Sequence, residues 1–555
     1  MTKFVVFSAT TDPGGVSKMG STFPYSVAVG NGAQMQKSKA RFEILRRIED
    51  GDPVFSRKDY ADVVTMFWDT VEACPDQIAL VDGDRRLSYA QFGAAVAGLA
   101  GRIGEKVTPS ARVAICMSNS IEANVAIFAA LSAGAEISIV NAGYTSREID
   151  TLFNIAPPEL VLAGQSNSEV AGASARNAEA PLIIVGEGGV SIDALLDTPP
   201  TRPDVEIMGA SPCIIMFTGG STGAPKGVQR DHRSEMSVIK AMHTAWPTRL
   251  QEEVWLNVAP VSHVWGIHMG CFNPVYGRSC LIIVPRFHPD LVAGLMEKYR
   301  VSVFSGGPAA IYQGLLAAPD TDMSALWLCP GGGSVFSRQT LSRWEAKTGL
   351  PILEAFGMTE GGPLTAQPLD GTHQYGTAGL PLPGIEVAIV ALDGSGERLS
   401  ANENGEIFLR GERVIDRYMG LPPVAEDGWL PTGDIGFLTP DGFLTVVDRK
   451  KDMLIVGGFN VYPSEIEEVL SLVPEVSDAA VVSVPDIRKG EAPFAFVAAS
   501  PQSGVDEKFL MEHCAKNMTK YKIPRNIVVL DEIPKTPARK PDKKRLKEMA
   551  KELLE

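Results

Sequence analysis

Apolar and polar positions follow two different periods along the chain, and together they predict layered α/β structure. Residues 62–74 (DVVTMFWDTVEAC) repeat apolar positions at helical spacing, whereas residues 77–92 (QIALVDGDRRLSYAQF) form a hairpin pattern with its turn at 82–84. Short apolar runs such as ARVAICMSN then alternate with helical stretches such as IEANVAIFAALSAG. This alternation is typical of stacked α/β layers with largely parallel sheets.

Residues 213–227, CIIMFTGGSTGAPKG, predict a short buried strand that ends in a loop for a polyanion. Glycines allow successive backbone N–H groups to converge on one anion, and the hydroxyls of Thr218, Ser221 and Thr222 add donors. Lys226 supplies a positive charge, so a triphosphate is the expected ligand of this loop. The Walker pattern is not met, because Lys226 lies between Pro225 and Gly227. The alternative interpretation is a flexible Gly/Ser linker.

Further predicted strands end in glycine or proline, as in VSVFSGGP, LWLCPGGGS and ILEAFGMTEGG. In doubly wound sheets this edge binds ligands. We expect residues 331–333 to admit a flat ring, Phe356 to stack on it, Thr359 to donate a hydrogen bond and Glu360 to hold Mg²⁺. Asp434, behind the tight turn of Thr432 and Gly433, is placed to accept hydrogen bonds from ribose hydroxyls.

Composition narrows the class of protein. The 555 residues are 45% apolar and carry a net charge of −15, which predicts several domain-sized units and argues against nucleic acid as a partner. The seven cysteines form no CxxC pair and read as reduced core residues, and no apolar run approaches the length of a transmembrane helix. We expect a cytoplasmic enzyme, monomeric or homodimeric.

The charged run 448–452 interrupts two predicted strands, and this change in the sequence pattern predicts a domain boundary at Lys451. Residues 1–40 are rich in Gly, Ser and Thr and are expected to form a disordered or draped N-terminal extension. Residues 41–450 then form a large N-terminal domain, and residues 451–555 a small C-terminal domain.

Five motifs now carry a resemblance: FTGGSTGAPKG, EAFGMTE, TGDIG, DRKKDMLIVGGFNVYPSEIE and PKTPARKPDKKRL. Their order and spacing resemble the adenylate-forming superfamily of acyl-CoA synthetases, peptide-synthetase adenylation domains and firefly luciferase, over roughly residues 63–546. The resemblance implies an α/β fold, with a large N-terminal domain of stacked α/β sheets plus a distorted β-barrel, and a small mobile α+β C-terminal domain. It also implies that a carboxylate and MgATP form acyl-AMP, from which CoA displaces AMP.

The resemblance assigns roles residue by residue. The pyrophosphate loop matches Thr218, Gly219, Gly220, Ser221, Thr222, Gly223 and Lys226, with Thr222 and Glu360 as the metal residues. The nucleotide site matches Gly331, Gly332, Gly333, Glu354, Ala355, Phe356, Gly357, Asp434 and Arg449. The catalytic set is Lys540, Thr359, Glu360 and His263, Lys451 is the hinge, and Gly457 and Gly458 line the pantetheine tunnel. The acid pocket matches His263, Trp265, Gly306, Gly307, Gly332, Gly357 and Met358.

Three departures from the family pattern stand out. Gly219–Ser221 replaces Ser-Gly-Thr and should loosen the loop, Phe356 replaces a tyrosine, and Arg539 replaces the glycine before Lys540. From the residues alone, His263 is as compatible with a structural role as with a site.

Alternatives to a CoA ligase are an adenylation enzyme that loads a carrier protein and a non-enzymatic nucleotide sensor. No cationic residue is evident in the predicted acid pocket, which favours an aliphatic or aromatic monoacid over a diacid. Fatty, cinnamate-type and benzoate-type acids remain open.

Overall fold

The computed structural model describes residues 43–219, 225–424, 427–486, 488–499, 504–536 and 540–554. The predicted extension 1–40 lies outside the described residues, as do positions 220–223 of the predicted phosphate loop and Arg539.

The helices of the described chain are α1 (43–49), α2 (Val63–Ala73), α3 (Tyr89–Gly104), α4 (Ile121–Ser132), α5 (Ser146–Ile155), α6 (Ser168–Asn177), α7 (His232–Ala245), α8 (Val264–Ile267), α9 (Asn273–Tyr276), α10 (Pro289–Lys298), α11 (Ala309–Ala317), α12 (Arg338–Thr348), α13 (Pro463–Ser471), α14 (Glu507–Asn517) and α15 (Lys543–Leu554). Short 3₁₀ turns lie at Pro53–Phe55, Gln165–Asn167 and Asp193–Leu195, and a π-helical segment, His268–Phe272, joins α8 to α9.

The strands are β1 (Ile78–Asp82), β2 (Arg85–Ser88), β3 (Arg112–Cys116), β4 (Glu136–Val140), β5 (Leu160–Gly164), β6 (Leu182–Val185), β7 (Pro212–Gly219), β8 (Pro225–Asp231), β9 (Val254–Asn257), β10 (Cys280–Ile283), β11 (Val303–Ser305), β12 (Pro330–Gly332), β13 (Leu353–Met358), β14 (Gly362–Ala366), β15 (Leu380–Pro381), β16 (Ile385–Val390), β17 (Gly405–Gly411), β18 (Leu430–Leu438), β19 (Leu444–Arg449), β20 (Leu454–Val456), β21 (Phe459–Val461), β22 (Val476–Asp486), β23 (Gly490–Ala499) and β24 (Asn526–Leu530).

Two mainly parallel sheets form the body of the fold. One has the order β6-β5-β3-β4-β7-β8 and the other β11-β9-β10-β1-β2, with β8 and β2 as antiparallel edge strands. Side-chain caps start the helices between the strands: Ser88 caps α3, Ser120 caps α4 and Asp231 caps α7. Asp231 also ends β8, so the strand passes directly into α7.

The core between these layers is aromatic. Phe128 of α4 stacks on Phe67 at 4.4 Å and meets Phe92 and Phe272 edge-on. All four rings are fully buried. These contacts hold α2, α3, α4 and the π-helical segment together, because aromatic pairs prefer these two geometries.

Two further sheets carry the polar turns of the site. They have the orders β12-β13-β14-β15 and β16-β17-β18-β19, and within the described ranges their strands stay open instead of closing into a barrel. The predicted α/β class with several sheets is therefore confirmed, while the expected distorted barrel takes the form of open sheets that are antiparallel except for the parallel β12–β13 pair.

The last sheet, β21-β20-β23-β22 with β24 paired to β23, has hydrophobic clusters of its own against α13, α14 and α15. Lys451, the predicted boundary, lies in the exposed turn between β19 and β20. The helix over 62–74 and the hairpin turning at 82–84 are both present as predicted, with Gly83 at φ +63°. The strand before the phosphate loop differs, because β7 runs on to Gly219 and pairs with β8 as a hairpin.

Phe128→Ala is expected to lower the free energy of unfolding by about 3 to 5 kcal/mol, because it leaves a cavity among three other rings. Leu291→Ala, at a side chain that is 50% exposed on α10, should change it by less than about 0.5 kcal/mol. Urea unfolding of both variants measures the difference. Equal effects would show that the aromatic cluster does not organise the core.

Candidate active site

Lys226 and Glu360 are linked through one tyrosine. Lys226 lies on β8 opposite Thr218 of β7, and its Nζ atom sits 4.5 Å from the centre of the Tyr418 ring. The Tyr418 hydroxyl donates a hydrogen bond of 2.8 Å to Oε1 of Glu360. Burial raises the pKa of Tyr418, and the nearby Glu360 charge raises it further, so the phenol keeps its proton as a donor. One tyrosine thus holds a cation over its ring face and a carboxylate at its hydroxyl.

Backbone bonds fix this arrangement. Glu360 lies in the turn between β13 and β14 and is 6% exposed. Its carbonyl accepts from the Ile415 amide at 2.9 Å, and the Met419 amide donates to the Gly227 carbonyl at 2.9 Å. The segment 415–419 therefore ties the β7–β8 hairpin to the Glu360 turn. Sequence reasoning missed Tyr418, because it lies outside every motif that predicted a site.

A second group of charged residues brings Lys540, near the C-terminus, close to a pair on β18 and β19. Asp434 of β18 pairs across the sheet with Arg449 of β19, and Arg449 Nε lies 3.1 Å from Asp434 Oδ1. Burial raises the pKa of Asp434, while the charges of Arg449 and Lys540 oppose that rise. The pKa of Lys540 is lowered by burial and by Arg449, against the attraction of Asp434. Lys540 therefore lies within electrostatic reach of both.

His263 faces the same cation. The surrounding protein atoms and then the positive charge of Lys540 lower the pKa of His263, although its side chain is exposed at the surface. The ring caps α8, with Nδ1 accepting a hydrogen bond of 3.1 Å from the Trp265 amide. Because Nδ1 accepts from an amide, the imidazole in this arrangement is neutral and carries its proton on Nε2, which leaves that atom as a donor.

Trp265 rests on two of the predicted pocket glycines. A Cβ atom on Gly332 would approach Trp265 Cζ3 to 3.1 Å, and one on Gly307 would lie 3.5 Å from Cδ1. The Gly332 amide donates to the Gly307 carbonyl at 3.0 Å, so both glycines form one wall. Gly306 faces the core instead, where a Cβ would come within 2.8 Å of Phe304 and Tyr312. The structure thus brings Trp265, Gly307 and Gly332 together.

The predicted nucleotide strands lie side by side. Gly331 and Gly332 of β12 pair with Glu354 and Ala355 of β13, and Gly333 follows in open space at φ +84°. Phe356, Gly357, Met358 and Thr359 continue β13 into the Glu360 turn. Gly357 permits close contact between strands, since a Cβ there would lie 2.5 Å from the Gly362 carbonyl oxygen.

Glu354 is a buried acid that sequence reasoning placed in the site without a chemical role. Burial raises its pKa to about 8, only partly offset by a hydrogen bond from the Phe336 backbone. Its Oε1 atom has no hydrogen-bond partner among the described residues. The carboxyl is therefore mainly protonated at pH 7.

The remaining predicted residues lie elsewhere. Lys451 is exposed in its turn, and Gly457 and Gly458 form the exposed turn between β20 and β21, where a Cβ on either would meet nothing within 4 Å. Gly219 ends β7, and Gly220, Ser221, Thr222 and Gly223 lie outside the described residues. The metal role of Thr222 stays a prediction. Over the described ranges no three metal-binding His, Cys, Asp or Glu side chains come together.

Known proteins share this arrangement of sheets and motifs. The family described as AMP-binding enzyme matches residues 67–419, and the AMP-binding enzyme C-terminal domain matches residues 465–540. A long-chain-fatty-acid–CoA ligase of Yersinia pestis is 30% identical over 525 residues, which is 86% of this chain and 92% of that protein. ATP-bound MatB from Rhodopseudomonas palustris superposes with a TM-score of 0.82 at 27% identity, covering 90% of this chain and 100% of its own.

The chain therefore belongs to the AMP-binding enzyme family. Within it the chain falls in the acyl-CoA synthetase branch, the AMP-forming carboxylic acid–CoA ligases, whose substrates include ATP and CoA. A third relative, a Mycobacterium tuberculosis protein named 3-[(3aS,4S,7aS)-7a-methyl-1,5-dioxo-octahydro-1H-inden-4-yl]propanoyl:CoA ligase, is 31% identical over 86% of this chain and 97% of its own length. No helix in the described ranges has the length and apolar character that crossing a membrane requires.

Glu354→Gln is expected to change how stability depends on pH. Burial holds the folded-state pKa at about 8, above the ordinary value of 4.5, so between these pH values the folded protein binds more protons than the unfolded chain. Stability of the native protein therefore falls as pH rises through this window, and the glutamine variant lacks that contribution. Urea unfolding midpoints at pH 5 and pH 8 test this. The midpoint of the variant relative to that of the native protein should be higher at pH 8 than at pH 5. An equal difference at both pH values would contradict it.

Proposed function

We propose that this ligase activates an apolar monocarboxylic acid with MgATP and passes the acyl group to CoA. The observation that carries the proposal is the convergence of Lys540, from the end of the chain, on Asp434, Arg449 and His263. Such a group combines a carboxylate for ribose hydroxyls with cations for phosphate.

The nucleotide would lie along β12 and β13. Asp434 accepts hydrogen bonds from the ribose hydroxyls, and Arg449 orients that carboxylate and opposes the rise in its pKa. Lys226 meets the outer phosphates. Glu360 offers an oxygen ligand of the kind that Mg²⁺ prefers, close to Lys226, so the residues present fit a magnesium ion carried by the triphosphate. A related synthetase, MenE from Bacillus subtilis, has been solved with ATP and a magnesium ion.

The first half-reaction needs no protein nucleophile. The substrate carboxylate is ionised at pH 7 and attacks the α-phosphorus, and pyrophosphate leaves. Negative charge grows on the α-phosphate oxygens, where Lys540 and the Nε2 proton of His263 can offset it. In the second half-reaction the CoA thiol attacks the acyl carbonyl and AMP leaves with the bonding electrons. We assign no general base to that step.

The pocket wall favours an apolar acid. Trp265 and the backbone of Gly307 and Gly332 supply a flat, uncharged surface, and His263 is neutral. A second carboxylate would have no cation among these residues to meet it. The Yersinia relative is named for long-chain fatty acids and the Mycobacterium relative for a bicyclic propanoate, and both acids are largely apolar.

A panel of aliphatic, cinnamate-type, benzoate-type and dicarboxylic acids tests the proposal. Acid-dependent pyrophosphate release should be greatest for an apolar monoacid, and free CoA should then yield the thioester and AMP. Preference for diacids would overturn the substrate class. Pyrophosphate release without transfer to free CoA would instead favour a carrier protein as the acceptor.

Lys540→Ala is expected to slow acyl-AMP formation by about 10²-fold or more, since one preorganised charge contact is lost from the transition state. Conversion of supplied acyl-AMP with CoA should stay nearly unchanged. Lys544→Ala, an exposed lysine on α15, is the matched control and should leave both steps intact. Equal loss of the two half-reactions in Lys540→Ala would contradict the assignment.

Trp265→Ala should raise kcat/KM for a longer or bulkier acid relative to a shorter one by about tenfold, because it opens the volume of an indole beside two glycines. The control is Trp68→Ala on α2, which removes an indole of similar burial, 7% against 6% exposed. The ratio of kcat/KM values across a graded acid series is the measurement. If both variants keep the native profile, Trp265 does not line the acid pocket.

A further inference from the structure

Three charged or ionisable side chains form a contact network beneath the site. Arg230 Nε lies 2.7 Å from Glu235 Oε1, and His268 Nε2 lies 2.9 Å from Glu235 Oε2. The side chains are 2%, 0% and 0% exposed. The Arg230 and His268 approaches to the carboxylate are off the hydrogen-bond axis, so charge holds this network more than directional bonding does.

Each member belongs to a different wall of the candidate site. Arg230 is on β8, the strand that carries Lys226, and its Nη1 would lie 3.3 Å from a Cβ on Gly362, just after the Glu360 turn. Glu235 is in the first turn of α7. His268 opens the π-helical segment, and its Nδ1 donates to the Val264 carbonyl at 2.8 Å.

The His268 contact leads directly to the acid pocket. Val264 stands between His263 and Trp265 in the single turn of α8. Because carbonyl and carboxylate oxygens both accept, the two contacts require a proton on Nδ1 and on Nε2 of His268, and the ring then joins Val264 to Glu235. Local π-helical segments in α-helices are frequent at functional sites. The carboxylate of Glu235 thus holds the turn that presents His263 and Trp265.

Stability alone is a weak reason for such a network. Burial opposes ionisation of Glu235, but the charges of Arg230 and His268 outweigh it and lower its pKa. Well-packed apolar residues often replace a buried ion pair without loss of stability, whereas removing one partner leaves a buried charge uncompensated. Unlike an apolar core, such a network fixes the distance between charged side chains that lie on separate secondary-structure elements.

We propose that Glu235 is a positioning residue that locks the acid-pocket turn of α8 to the phosphate hairpin β7–β8 and the Glu360 turn. The inference rests on the proposed function of those walls. Through Arg230 and His268, one carboxylate sets where His263 and Trp265 stand relative to Lys226, and hence where the substrate carboxylate meets the α-phosphorus.

Glu235→Gln tests this, because it removes the charge and keeps the volume. Misalignment of the reacting groups should lower kcat/KM for the acid in acyl-AMP formation by about tenfold or more, with a higher KM for the acid. The conversion of supplied acyl-AMP with CoA should keep its native KM for CoA. Glu235→Asp, which keeps the charge at a shorter reach, should recover part of the loss.

The matched control is Glu253→Gln. Glu253 is equally buried, at 0% side-chain exposure, and bonds to Arg249, Ser302 and Trp327, none of which is a predicted site residue. It should lower the unfolding midpoint as Glu235→Gln does, yet leave kcat/KM for the acid within about twofold, as expected for a change without contact to the reacting groups.

Equal kinetic effects of the two glutamine variants, or a native KM for the acid in Glu235→Gln, would overturn the proposal. If Glu235→Gln does not fold, His268→Gln carries the same test, because it removes the contact to α8 and leaves Arg230 paired. Failure of the native protein to release acid-dependent pyrophosphate would instead overturn the proposed function, so the two failures are distinguishable.

Discussion

Burial of Asp434 beside Arg449 is the interaction on which the geometry of the site depends. The pair spans β18 and β19, and Lys540, in the segment between β24 and α15, lies within reach of both charges: Arg449 repels it and Asp434 attracts it. Burial and Arg449 both disfavour the charged form of Lys540 and lower its pKa, and the Asp434 carboxylate only partly opposes them. Asp434 is therefore the attractive charge between β18 and the C-terminal segment that carries Lys540, and Lys540 in turn adds to the desolvation that lowers the pKa of His263.

The parts of the site that lie within one local pattern could be predicted from the sequence. Gly331–Gly333 and Glu354–Glu360 are short motifs whose pairing follows from parallel strands that end at one sheet edge, and β12 and β13 do pair. Tyr418 could not be predicted, because a single tyrosine in a connecting segment carries no periodic signal. Its role depends on backbone bonds between segments that are far apart in the chain.

The network of Arg230, Glu235 and His268 escaped prediction for a related reason. Arg230 and Glu235 flank the junction of β8 and α7, which reads as an ordinary charged strand end capped by Asp231. From the sequence pattern such charged side chains are expected to be exposed to solvent, and only the tertiary packing shows that they lie in the core. The open sheets found in place of the expected barrel could not be predicted from sequence patterns either. Closure of a barrel depends on strand tilt and register and not on the alternation of side chains.

The net charge of −15 makes local cations the decisive feature of a chain that meets a triphosphate. Lys226 lies over the Tyr418 ring, Arg449 pairs with the Asp434 carboxylate, and Lys540 is attracted by that same carboxylate. Preorganised charges of this kind need no reorganisation when charge develops on phosphate. The remaining requirement is that the acid be held at a fixed distance from them. In the proposed arrangement the buried Glu235 carboxylate, which contacts Arg230 of β8 and His268 beside α8, sets that distance without entering the acid pocket, so the wall of Trp265, Gly307 and Gly332 stays apolar.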